Sequence, residues 1–204
     1  MNDADQPALI EIIEASAIIR FNSPEKRNSL SREILDQLEL SLANVLPRND
    51  LTAVIFTGTN DVFASGADIR ELAQLNAETA RDFAGRGQSI LNRIANARQR
   101  TISAINGYCM GGALDLALAC DVRVASKNAV FAHPGANLGI ITGWGGTQRL
   151  PRLIGQARAM ELFMTARRID SVEALEMGLI SEISDPVLKR ALELSRNLAA
   201  DERR

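Results

Sequence analysis

Apolar positions along this chain follow two alternating rhythms. LIEII (9–13) and SAIIRF (16–21) are short runs rich in β-branched residues, and their spacing predicts a hairpin-like pair of strands. The polar segment NSPEKRN (22–28) predicts a loop. From Ser31 the period changes: Ile34, Leu35, Leu38, Leu42 and Leu46 share one stripe of a helix over 31–46, with Ser31 as its N-cap. TAVIFTG (52–58) is a continuous apolar run closed by glycine, the pattern of a strand buried on both faces.

The alternation continues towards the C-terminus. A helical pattern covers roughly 76–99, and TISAI (101–105) predicts another buried strand. NGYCMGG (106–112) reads as a glycine-rich turn feeding the helix GALDLALAC, with strands in DVRVAS and AVFA over 121–132. Asp170 and Glu173 have the spacing of a capping box for SVEALEM, and Gly178 stands where a left-handed C-cap falls. LISEI predicts a last short strand and 185–200 a last helix. Strand, glycine turn, helix and strand is the pattern of βαβ units, and no linker or repeat interrupts it. The expected class is α/β, with residues 1–204 in one domain.

Composition narrows the function classes more than the fold. Hydrophobic residues make up 46% and charged residues 24%, an ordinary globular balance. A formal net charge of −2 gives no electrostatic case for nucleic acid or an anionic membrane as partner. The opening MNDADQPALIEII carries acid where a secretory signal carries base, and no apolar run approaches the roughly 18 residues of a membrane span. A soluble cytoplasmic protein is expected, with Cys109 and Cys120 as small buried hydrophobes.

Candidate chemistry concentrates in two glycine-centred segments, FASGADIREL (63–72) and INGYCMGGALDLALACD (105–121), each following a buried strand. Glycine removes side-chain bulk where the chain turns towards a helix, so backbone N–H groups at the positive helix end become available to an anion. Two such groups from separate loops, converging on one point, make an oxyanion hole. Ordinary strand-to-helix turns without a ligand fit the same pattern.

The first segment looks like the crotonase signature F-x-x-G-x-D-[IL], and NGYCMGGALDLALACD resembles that family's N-G-x-x-x-G-G-G-x-E-L-A-x-x-C-D. FAHPGANLGIITGWGGTQRLPRLIG (131–155) is similar to its third stretch, and NSPEKRNSL to its N-terminal R-P-x-x-x-N-A-L. From about residue 15 to 185 the chain is identified as a member of the crotonase (enoyl-CoA hydratase/isomerase) superfamily. The resemblance implies a crotonase-like spiral of ββα units, acyl-CoA thioester substrates, and a homotrimer or hexamer. CoA would enter as part of the substrate, with no separate cofactor and no metal. It also implies that the N–H groups of Ala67 and Gly112 hold the thioester oxygen, and that Lys26, Ala64, Asp68, Ile69 and Gly111 lie along the CoA channel. Lys26, Arg27 and Arg70 would meet CoA phosphates, or simply be solvated.

Departures from the family pattern matter as much. Of the two glutamates that serve water addition in the family's hydratases, the first falls on Asp115, one methylene shorter, and the second on Gly135, which has no carboxylate. Asp115 is either the acid/base or an aspartate favoured by the helix end. His133, the sole histidine, is a candidate base or a loop filler. Trp144 lines an acyl pocket or only packs, and Thr142 is a polar candidate beside it. The chain stops at NLAADERR, so about 185–204 would be the remnant of a truncated C-terminal helical region, its lid absent or supplied by a neighbouring subunit. An enolate-stabilising enzyme, more isomerase than hydratase, is the leading expectation. A malonyl-type decarboxylase and a non-catalytic acyl-CoA-binding subunit are the rivals.

Overall fold

The computed structural model describes residues 8–201. The acidic opening that argues against a secretory signal and the last three residues lie outside that range. Strand β1 (Ala8–Ile13) and β2 (Ser16–Phe21) form the expected antiparallel hairpin. A single 3-10 turn at Pro24–Lys26 occupies the loop, and α1 (Arg32–Val45) follows, its first turn closed by Ile34 N–H donating to Ser31 Oγ. Its buried stripe is Ile34, Leu35, Leu38, Leu42 and Val45, with Leu46 packed at the margin.

From there one motif repeats. β3 (Ala53–Thr57) leads to β4 (Val62–Ala64) and the helices α2 (Ile69–Leu72) and α3 (Ala77–Ala95). β5 (Arg100–Ile105) leads to β6 (Tyr108–Met110) and α4 (Gly112–Ala119). β7 (Val122–Ala125) leads to β8 (Val130–Ala132), a 3-10 turn at Pro134–Leu138, then α5 (Gly146–Ile154) and α6 (Gln156–Thr165). β9 (Ile169–Asp170), α7 (Ser171–Glu176), β10 (Glu182–Ile183) and α8 (Val187–Asp201) complete the described chain. The long sheet has the order β1-β2-β3-β5-β7-β10, and a second, smaller sheet runs β4-β6-β8-β9. Each repeat contributes one strand to each sheet, so the unit is ββα and the expected spiral is present.

The three-residue strands β4 and β6 correct the simpler strand–turn–helix reading of FASGADIREL and NGYCMGG. Runs that short carry no legible period, and their pairing partners are distant in sequence. The turn into β6 depends on Gly107, where a Cβ would lie 1.7 Å from Asp61 O. The capping box expected at Asp170 is half made. Asp170 Oδ1 accepts from Glu173 N–H at 2.9 Å, but the Glu173 carboxylate pairs with Arg167 instead of reaching back. A complete box caps α3, between Asn76 and Thr79.

The central strands of the long sheet, β2, β3 and β5, are buried on both faces, whereas the edge strand β1 leaves Ile10 and Ile12 exposed. Ile19, Phe21, Val54 and Phe56 face the main core with α1, α3 and α4, where Phe21 and Phe63 meet edge-on at 5.8 Å. Ile18, Ile55, Ile102, Ala104 and Val124 face the other way and are covered by Val187 and Ala191 of α8. Ser195 of α8 is within 2.9 Å of Ser16 across that contact. Cys109 and Cys120 are buried free thiols. Among the described residues no helix is long and apolar enough to cross a membrane.

Asn28 is the polar pin between the N-terminal loop and the second sheet. It is fully buried with φ 50, donates through Nδ2 to Val62 O at 2.8 Å, and accepts from Ser23 N–H at 2.8 Å. Asn28→Ala orphans the Ser23 N–H, leaves Val62 O only the longer bond from Asn106 Nδ2 at 3.3 Å, and puts alanine in a left-handed conformation. A loss of about 2–4 kcal/mol in urea unfolding is expected, and a change within 0.5 kcal/mol would contradict the role.

Candidate active site

Parallel pairing of β4, β6 and β8 aligns the segments that leave their C-terminal ends. The first carries Gly66 and Ala67, the second Gly111 and Gly112, and the third His133 and Gly135. A Cβ on Gly66, whose φ is +87, would sit 2.7 Å from Met110 O and 3.1 Å from Gly112 N. The two turns are therefore as close as bare backbone allows. Gly111 N–H donates to Ala132 O at 2.9 Å. Gly112 N–H is next in line and, as the first residue of α4, has no acceptor within its own helix. On the other turn, Leu30 N–H donates to Gly66 O at 2.7 Å, a bond that leaves Ala67 N–H out.

Both turns open onto one cavity of about 520 Å³. Leu72 and Leu75, Phe83 of α3, Ile140, Ile141, Trp144 and Phe163 make it apolar, and Ser65, Asn76, His133 and Thr142 are its polar side chains. No lysine, arginine, aspartate or glutamate lines it among the described residues. Trp144 is buried and tilts against Phe83 with ring centroids 5.4 Å apart. Its indole lies in a slot: a Cβ on Gly87 would come within 2.2 Å of the ring, and one on Gly112 within 2.5 Å. The loop carrying Trp144 is tied to α3 by Gln88 Nε2 donating to Gly143 O at 2.7 Å.

Asp115 lies behind this wall and is completely buried. Thr142 Oγ1 donates to its Oδ2, while Oδ1 has no hydrogen-bond partner and faces His133 Nε2 at 3.5 Å. Burial pushes the Asp115 carboxyl up to about 6, against the opposing pull of the Thr142 hydroxyl, the nearby Gly146 and Trp144 amides and the Arg149 charge. His133 is buried too, its ring 5.0 Å from that of Phe163, and desolvation alone drives it down to about 4. A helix end favours a surface carboxylate by about 0.3–1 kcal/mol. Raising a carboxyl from 3.8 to about 6 corresponds to about 3 kcal/mol against its charge. The helix end does not account for a buried Asp115; burial costs more than that end returns.

The remaining expectations divide. Ile69 and Gly111 line the cavity, whereas Lys26, Ala64 and Asp68 do not. Lys26 and Arg27 are exposed on the N-terminal loop, and Ala64 is buried under the Gly66 turn. Asp68 caps α2 through Arg70 N–H at 2.8 Å and pairs with the Arg70 guanidinium, which holds its carboxyl below the usual range. Asp68 and Arg70 therefore engage each other. Sequence reasoning missed Gly87, Phe83 and Gly146. Phe83, Gly87, Ile90, Leu91 and Ile94 form the inward stripe of α3, a legible signal, but the tryptophan meeting that stripe comes from a distant loop. A Cβ on Gly146 would lie 2.0 Å from Asp115 Oδ1. Among the described residues no group of three or more His, Cys, Asp or Glu is placed to hold a metal ion.

The family model for enoyl-CoA hydratase/isomerase matches residues 11–204. The chain belongs to the enoyl-CoA hydratase/isomerase family. It is 34% identical over 188 residues to a short-chain-enoyl-CoA hydratase of Clostridium acetobutylicum, covering 91% of this chain and 72% of that one. A crotonyl-CoA hydratase of Syntrophomonas wolfei is 37% identical over 179 residues, 87% of this chain and 69% of its own. The crystal structure of an enoyl-CoA hydratase from Bacillus anthracis superposes with a TM-score of 0.90 at 35% identity, covering 95% of this chain and 77% of that one. This chain is accordingly an acyl-CoA enzyme of that family.

The buried pair makes opposite contributions to stability. Asp115 binds its proton more tightly folded than unfolded, so the fold gains stability as pH falls from about 6 to about 4. Unfolded His133 takes a proton below its ordinary value of 6.5 but folded His133 only below about 4, so the fold loses stability over nearly the same window. Asp115→Asn removes only the first contribution. Between pH 6.5 and 4 that variant should lose about 2 kcal/mol more than the parent in urea titrations. Parallel pH–stability curves would refute the buried pair.

Proposed function

We propose that this enzyme moves a double bond within an acyl-CoA thioester through an enolate, and adds water poorly. The observation that carries the reading is the approach of the Gly66–Ala67 and Gly112 turns at the wall of an apolar cavity. A thioester oxygen held between the N–H groups of Ala67 and Gly112 gains both donors as charge develops on it, and losing one donor of this kind costs about 2.7–4 kcal/mol in the barrier. The acyl chain occupies the space bounded by Phe83, Trp144 and Phe163. The printed names of the relatives favour hydration, which in the family resemblance needs a second carboxylate at Gly135. None is present there, and Asp115 does not line the cavity.

Restoring that carboxylate is blocked by packing. Gly135 does not have a positive φ, but a Cβ there would lie 2.6 Å from Ile140 O, a backbone atom that cannot swing aside. Decarboxylation of a malonyl-type thioester is disfavoured by the lining. The substrate carboxylate would enter with no lysine or arginine to meet it, and a buried unpaired charge costs several kcal/mol.

Two measurements test this reading. With 3-enoyl-CoA and crotonyl-CoA compared under the same conditions, isomerisation should exceed hydration by about a hundredfold or more, the penalty of lacking one general acid/base. Faster hydration would overturn the proposal, and Gly135→Glu should destabilise the fold without restoring hydration. We also propose a homotrimer or hexamer, supported by the family resemblance and by exposed Met160 and Met164 on α6. Sedimentation equilibrium should find three or six chains, and a strict monomer would reject it.

A further inference from the structure

Three buried polar atoms in one place have no hydrogen-bond partner: Asp115 Oδ1, His133 Nδ1 and His133 Nε2. More than nine in ten buried polar groups in folded proteins find a partner, so a cluster of orphans calls for a physical cause. Asp115 is fully buried and does not line the cavity; His133 and Thr142 do. Thr142 has committed its hydroxyl proton to Asp115 Oδ2 and is far too weak a base to take one from carbon. The imidazole has one nitrogen facing Asp115 at 3.5 Å and a second with no engagement at all.

We infer that His133 is the group that exchanges protons with the acyl chain, with Asp115 behind it as the proton's resting place. This rests on the enolate reading above. In the resting site His133 carries its proton on Nε2, directed at the Asp115 carboxylate; Nδ1 is buried without a partner, and substrate meets it only on seating against the stretch of cavity wall that His133 forms. The proton on C2 of a 3-enoyl thioester passes to Nδ1, and the C–H electron pair becomes the dienolate. The Nε2 proton passes to Asp115 Oδ1, so the ring ends neutral in its other tautomer. The steps then reverse towards C4: Asp115 returns its proton to Nε2, Nδ1 delivers the substrate's proton to C4, and the double bond lies between C2 and C3. No proton, electron or co-reactant is left over.

The affinities of the two groups suit this direction of flow, since buried Asp115 holds a proton at higher pH than His133 does. The 3.5 Å gap is longer than a formed hydrogen bond, as is common before substrate tightens a site. The other titratable groups facing the pair are Arg149 of α5, which favours the charged carboxylate, and Cys109 of β6, whose thiol is pushed far up and stays protonated. Phe163 of α6 presents only a ring to His133.

The chain has one histidine, so its ring nitrogens are read without assignment in a 15N spectrum. The expected result is a neutral ring at pH 7 with its proton on Nε2, switching tautomer at about pH 6 as Asp115 takes up a proton. Asp115→Asn should abolish that step. A ring that becomes imidazolium near its ordinary 6.5, or a step that survives in Asp115→Asn, overturns the relay. Rates supply the second arm. His133→Gln, nearly the same size, should lower isomerisation and deuterium uptake at C2 by about 10²–10⁴ with KM little changed. If His133→Gln, folded by circular dichroism, exchanges at the parent rate while Asp115→Asn does not, Asp115 acts directly and the relay is wrong. A parent enzyme that exchanges no α-proton overturns the enolate reading, and the coupled titration still decides the relay.

Discussion

The structure depends on one constraint, the parallel pairing of β4, β6 and β8 in the second sheet. Adjacent strands lie about 4.8 Å apart, so whatever leaves their C-terminal ends emerges side by side. The two glycine turns and the His133 segment are placed together for that reason and no other, because they lie far apart in sequence. Ligand sites at the C-terminal ends of parallel strands follow the same logic in open α/β sheets. The ββα repeat sets this up: β3, β5 and β7 of the long sheet hand the chain to β4, β6 and β8 of the small one, and the segments leaving those three strands reach the cavity.

That arrangement leaves no room for side chains where the turns meet. Gly66 approaches the Met110–Gly112 backbone directly, and Gly112 is also one wall of the slot that receives Trp144. Cavity wall and candidate oxyanion site therefore share a residue. A substitution at Gly112 disturbs the Trp144 ring as well as the N–H, so its effect on rate mixes two causes. Trp144 in turn ties the 139–145 loop to α3, where Gly87 leaves the ring its place.

Asp115 and His133 stand out among the buried polar side chains because both can change charge. Each group is held in a state less stable than it would have in water, one disfavouring negative charge and the other positive. Their opposition keeps the net cost nearly independent of pH over the window in which both would otherwise change. Such a pair can be buried without making the fold sensitive to mild acid. Water addition as in the family's hydratases would require a second carboxylate facing the cavity. Gly135 supplies none, and Ile140 O fills the space where one would begin.

Much of this was legible in the residues. Strands β3 and β5 announced themselves as unbroken apolar runs because both their faces are covered, and α1 by its stripe from Ile34 to Leu42 with Ser31 before it. Motif resemblance located the glycine turns, Asp115 and Gly135 because those identities are local. Strands β4 and β6 were hidden, since three residues are too few to show a period and their stability comes from distant neighbours. The depth of Asp115, its separation from the cavity by His133 and Thr142, and the engagement of Asp68 with Arg70 were decided by tertiary structure alone. Sequence names a side chain and its neighbours along the chain. Desolvation and distance depend on neighbours across the fold, and those set which group meets the substrate.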